Sequence, residues 1–88
     1  MWQTVDPEGR LVVLKEAAWE PILDGHRELT PRPSDILAAV AIPDERIRGR
    51  YEFDEWFYRS NPQPSPWQKV VVHFCGQDGS IVTAFPRT

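Results

Sequence analysis

Trp67 to Pro86, WQKVVVHFCGQDGSIVTAFP, decides the fold of this chain. It holds the longest apolar runs, Val70-Val71-Val72 and Ile81-Val82, separated by Gly76-Gln77-Asp78-Gly79. β-Branched runs broken by a Gly/Asp cluster read as two strands and a tight reversal. Asp78-Gly79 is the usual dipeptide where both central turn residues need positive φ. A two-residue loop there pairs Phe74 with Thr83, and a four-residue loop over Gly76 to Gly79 pairs Val72 with Thr83. Both registers set Val70, Val72, Phe74, Ile81, Thr83 and Phe85 on one face. Lys69, Val71, His73, Cys75, Val82 and Ala84 take the other. Lys69 and Thr83 then share a side only if a bulge intervenes.

Upstream of this hairpin, Glu45 to Tyr51 and Phe53 to Ser60 read as further strand segments, with Trp56-Phe57-Tyr58-Arg59 the clearest. The three prolines of Asn61 to Pro66 make a stiff loop rather than a domain linker. Two helices precede the strands. In Lys15 to Leu23, Ala18, Trp19, Ile22 and Leu23 form an apolar stripe. Pro21 requires that helix either to start near Ala17-Ala18 or to kink, and Gly25 suits its C-terminal end. Ser34 is a good N-cap for Asp35 to Ala41, which buries Ile36, Leu37 and Val40 and stops at Pro43. Arg10 to Leu14 suits a short first strand, and Met1 to Gly9 reads as a loose lead-in with a turn at Asp6-Pro7-Glu8-Gly9. The expected fold is α+β: two N-terminal helices packed on a three- to four-stranded antiparallel sheet. It forms one domain over residues 1–88, with its core at about 12–87.

Bulk properties narrow the function classes. Eighty-eight residues with 41% hydrophobic and 26% charged content fit a single globular core. The lone Cys75 forms no internal bridge and, within a strand, reads as a small buried hydrophobe in a reducing compartment. Neither a membrane span nor a signal peptide is visible, so the expected location is cytoplasmic. The net charge is −3, with four Lys/Arg against eight Asp/Glu in residues 1–44 and six against five in residues 45–88. A strongly basic chain would point to nucleic acid directly; here any anion site must be local.

His26 follows a helix end in a polar context, and its ordinary pKa of about 6.5 suits proton transfer. The alternative is a surface or helix-capping histidine. Lys69 and His73 share a strand face about 13 Å apart along the chain, so one phosphate bridges them only if both reach inward. His73 alone reads as a packed strand histidine. Arg46, Arg48 and Arg50 alternate on one strand face, either solvated or binding anions. Thr83 by itself is a good strand former. Trp56, Tyr58 and Trp67 suit either the core or stacking on bases. No zinc-ligand spacing, Gly-rich phosphate loop or Gly-x-Ser-x-Gly occurs, and neither a metal nor a cofactor is expected.

Taken together, LKEAAWEPILDGH, a second helix ending in proline, Trp56-Phe57-Tyr58-Arg59, KVVVHF and the terminal IVTAFP resemble a family. It is the phage-associated and polymorphic-toxin nuclease domains of the barnase–EndoU–colicin–RelE-like class. The resemblance spans roughly Val12 to Arg87. It implies helices packed on a curved antiparallel sheet and metal-independent RNA cleavage. The family's histidine after the first helix falls on His26, its final-strand threonine on Thr83, its basic strand residue on Lys69 and its arginine after the aromatics on Arg59. The implied reaction is attack of a ribose 2′-hydroxyl on the adjacent phosphate, leaving a 2′,3′-cyclic phosphate. His26 would move a proton, Lys69 and Arg59 would stabilise phosphorane charge, and Thr83 would hydrogen-bond a phosphate oxygen. Arg46, Arg48, Arg50, Tyr58 and Trp56 are the candidate substrate-binding residues.

The leading expectation is therefore a small toxin-type endoribonuclease acting on RNA, with a cognate immunity protein or antitoxin as a further partner. Its rivals are a non-catalytic protein-interaction module, whose acidic first half meets a basic surface, and an RNA binder without chemistry, whose affinity falls steeply with salt.

Overall fold

The computed structural model describes residues 1–25, 32–60 and 67–87. The elements run β1 (Trp2–Val5), β2 (Leu11–Leu14), α1 (Glu16–Gly25), α2 (Pro33–Ala41), β3 (Glu45–Arg48), β4 (Asp54–Ser60), β5 (Trp67–Cys75) and β6 (Asp78–Arg87). The strands make one six-stranded sheet in the order β1-β2-β6-β5-β4-β3. All neighbours are antiparallel except β2 and β6, which run parallel.

This corrects the expected architecture. The antiparallel run β3 to β6 is present, but the sheet has six strands and is mixed, and a strand pair precedes the helices. The expected lead-in is a strand because its turn closes a hairpin. Asp6 donates its amide to the Arg10 carbonyl at 3.0 Å, and its carboxylate accepts the Glu8 and Arg10 amides at 3.0 and 2.8 Å. Gly9 takes φ 82°, a conformation that costs glycine no Cβ clash. Val5 is thereby set opposite Leu11, and Trp2 opposite Leu14.

The β5–β6 hairpin forms as expected, but its reversal is Gly76-Gln77, with Cys75 opposite Asp78 and Gly76 at φ 65°. Asp78-Gly79 lies in strand. Gly79 serves there as a cradle, since a Cβ would stand 2.7 Å from the ring of Phe74, its partner across the ladder. Beyond the turn a bulge interrupts the ladder: Ile81 faces Val72, Thr83 faces Val71, and Val82 is the extra residue. Thr83 and Phe85 therefore join Lys69 and Val71, while Ala84 turns to the core beside Val70. The expected placement of Thr83, Phe85 and Ala84 is reversed.

Both helices lie on one face. They carry the chain from β2 to β3 at the far edge of the sheet. Ile36, Ala39 and Val40 of α2 and Ile22 of α1 pack with Val12, Leu14, Phe57, Val70, Val72, Phe74, Ile81 and Ala84. Burying each of the larger side chains is worth about 1.5–3 kcal/mol. Helix α1 runs from Glu16 through Pro21 to Gly25, and α2 starts two residues earlier than expected, with Arg32 rather than Ser34 at its N-cap and Pro33 in its first turn. Pro33 suits that place because the first-turn amides lack helical partners in any case.

Strands β2 and β4 are three strands apart, about 14 Å at the ordinary spacing. Arg10, just before β2, and Glu55 on β4 bridge that span with their long side chains, with bonds of 2.8 and 3.0 Å. The same guanidinium lies 3.7 Å from the Phe74 ring centroid and 2.7 Å from Asp6. No helix among the described residues is long and apolar enough to cross a membrane.

Candidate functional site

Cross-strand partners point to the same side of a sheet, so the register sorts the residues of the open face. One row runs Glu45, Tyr58, Lys69, Phe85, and the next Ile47, Trp56, Val71, Thr83. A third holds Asp54, His73 and Ser80. At the near end Ser60 faces Trp67. Neither helix covers this side, since both bury their apolar residues among the side chains of the opposite face.

Lys69 is at the centre of the aromatic part. Its Nζ stands 3.6 Å from the Trp56 ring centroid, 5.4 Å from Phe85 and 5.7 Å from Tyr58. Tyr58 and Trp67 meet edge to face at 6.5 Å. Any side chain at position 49 would strike the Trp56 indole nitrogen at 2.7 Å, so Gly49 lets that indole lie where it does. Lys69 is only 7% exposed. Among the described residues its ammonium has no carboxylate partner. A cation held by ring quadrupoles rather than by a carboxylate keeps its charge uncompensated for an incoming anion.

Thr83, half-buried, is a diagonal neighbour of Lys69 across β5 and β6. Such neighbours are about 7–8 Å apart, within reach of one phosphate group. The two residues that unbulged registers separate are thus brought together, with Trp56 and Tyr58 beside them.

The remaining candidates go elsewhere. Arg59 lies on the helix side, where its Nη1 donates to the carbonyls of Ala38 and Ile42 at 3.4 and 3.3 Å. It satisfies the C-terminal carbonyls of α2, a structural task. Arg46 and Arg48 share the face of Phe57 and Glu55, opposite to Lys69. Arg46 is engaged by Glu8 at 3.2 Å and Glu55 at 3.9 Å. Arg48 is exposed and lines a cavity of about 290 Å³ with Arg10, Glu52 and Phe53 among others. Arg50 falls past the end of β3, so the expected three-arginine strip does not form. His26 lies outside the described residues.

Two further groups on this face have no local signal in the sequence. Phe85 reaches this face only through the bulge, since unbulged registers set it with Val70 and Val72. Asp54 was not singled out, although it is the direct partner of His73, with Oδ1 2.9 Å from Nδ1. A carboxylate and a histidine 19 positions apart give no local spacing signal.

The other strongly charged cluster joins Arg10 to Asp6, Glu8 and Glu55. Burial works against the Asp6 charge, but the Arg10 amide and guanidinium and the Glu8 amide outweigh it, holding the carboxyl below the usual range. The Glu55 carboxylate, opposed by burial and joined by Asp6, raises the Arg10 pKa above its ordinary value. The Arg10 charge is thus answered by three carboxylates from within the chain. Comparison with protein-family models, with curated proteins and with solved structures gave no match.

Proposed function

We propose that this protein is a small endoribonuclease of toxin type, cleaving RNA by 2′-hydroxyl attack and leaving a 2′,3′-cyclic phosphate. The observation that supports it is the bulge at Val82, which sets Thr83 on the open face beside Lys69, whose ammonium has no carboxylate partner among the described residues. In this reading Lys69 stabilises the charge that grows on the phosphorane oxygens. Thr83 donates a hydrogen bond to one of them, and the exposed parts of Trp56, Tyr58 and Trp67 flank the bases. His26 remains a candidate for proton transfer. Arg59 has no part, because it binds α2 on the other side.

The test is cleavage of a short labelled RNA by purified protein, with product ends identified by mass. The expected result is a cyclic phosphate end, lowered about 100-fold or more by Lys69→Met and about 10-fold by Thr83→Val, as for loss of charge-stabilising donors. Intact RNA at high wild-type concentration would sink the reading.

A second reading, a non-catalytic protein-interaction module, draws support from the apolar residues of the outer surface, with Ile47 41% and Val82 54% exposed. It predicts no cleavage and a stable complex with a basic protein partner.

A further inference from the structure

On the ribonuclease reading just given, we propose that His73 is a catalytic proton-transfer residue of the open face, positioned by Asp54. The two are direct cross-strand partners on β4 and β5, with Nδ1 and Oδ1 2.9 Å apart. The Asp54 side chain is 14% exposed and that of His73 52%. A half-buried carboxylate thus holds an imidazole whose remaining edge is open to solvent. The carboxylate accepts from Nδ1, which fixes the tautomer and leaves the Nε2 lone pair free. Phe53 stands edge to face against the ring at 6.1 Å and limits its rotation. As a stability device an exposed pair of this kind is worth little; as a way to aim a base it is effective.

Its position fits the same phosphate site. The Val71–Thr83 pair lies one pleat from Lys69 in one direction and one pleat from His73 in the other, each step about 7 Å. A phosphate above Val71 and Thr83 therefore stands between the Lys69 ammonium and the His73 imidazole. Among the described strand residues, the other titratable groups beyond His73 on this side are Cys75, two residues along β5, and Asp78, opposite Cys75 on β6. In the reaction Nε2 takes the 2′-hydroxyl proton as the 2′-oxygen forms its bond to phosphorus. The bond from phosphorus to the 5′-oxygen breaks, and that oxygen leaves with a proton from the Lys69 ammonium or from water. Electrons and atoms balance without an added reagent.

The experiment is single-turnover cleavage of a short RNA from pH 5 to 9 by wild type, His73→Ala, His73→Gln and Asp54→Asn, with thermal midpoints taken alongside. His73→Ala and His73→Gln are expected to lose about 100-fold or more at an unchanged midpoint. They also lose the rise in rate through the imidazole range, and added imidazole restores part of the His73→Ala rate. Asp54→Asn should lose rate and shift that rise while folding normally. Wild-type cleavage matched by both His73 variants would overturn this assignment and leave the ribonuclease reading standing. Wild-type protein that leaves the RNA whole would overturn both.

Discussion

Arg10 and Lys69 are both nearly buried cations lying over aromatic rings, and they sit on opposite faces of one sheet. Arg10 is also held by Asp6, Glu8 and Glu55 and ties the β1–β2 turn to β4. Lys69 has rings around it and no carboxylate among the described residues. The difference separates a charge used up in folding from one left available. The two residues should therefore fail differently when they are removed.

The largest effect belongs to Arg10. Arg10→Met leaves Asp6, whose side chain is wholly buried, without its cation, and Glu55 with only the longer contact to Arg46. The expected loss is about 3–5 kcal/mol, the cost of breaking a buried pair from one side. Urea unfolding measures it, and a change below 1 kcal/mol would erase the distinction drawn here. Lys69→Met keeps the bulk and the apolar stem, so stability should change by about 1 kcal/mol or less while RNA cleavage collapses.

Acid should expose the Arg10 cluster next. The Asp6 carboxyl titrates below its unfolded value of 3.8. Its contribution is therefore complete above that value and is lost as pH falls from about 4 through the lower folded pKa. Urea midpoints from pH 7 to pH 2 should drop in that window, and Asp6→Asn should flatten the drop while lowering the plateau. An unchanged acid limb in Asp6→Asn would remove Asp6 from the account.

The contrast between faces also explains what could be read in advance. Runs of one residue type show directly: Val70 to Val72, the Ile36 and Val40 stripe of α2, and the aromatic strand at Trp56 to Tyr58 all lie in the elements expected. What depends on a single residue does not show. Gly79 reads as a turn glycine but is needed because the Phe74 ring occupies the space of its side chain. Trp2 to Val5 is too short to announce itself as strand until Asp6 closes the turn behind it. The Arg10–Glu55 and Asp54–His73 pairs join residues 45 and 19 positions apart, and no local pattern encodes either. The site was half legible for the same reason: Lys69 and Thr83 stood out as types, while their meeting depends on one unpaired valine.

That valine gives the smallest expected effect and the sharpest test of the face assignment. With Val82 present, Ile81 faces Val72 and Thr83 faces Val71, so positions 81 and 83 oppose consecutive residues of β5. Deleting Val82 makes 81 and 83 consecutive as well, and the ladder closes regularly with Thr83 still beside Lys69. The side chain removed is 54% exposed, so little burial is lost. The shortened protein should unfold cooperatively near the wild-type midpoint and keep RNA cleavage. Deleting Ser80 instead lies on the turn side of the bulge and shifts Gly79 out of its place under Phe74, so that variant should be far less stable. Equal damage from the two deletions would mean that the bulge is not where the Lys69–Thr83 pairing requires it.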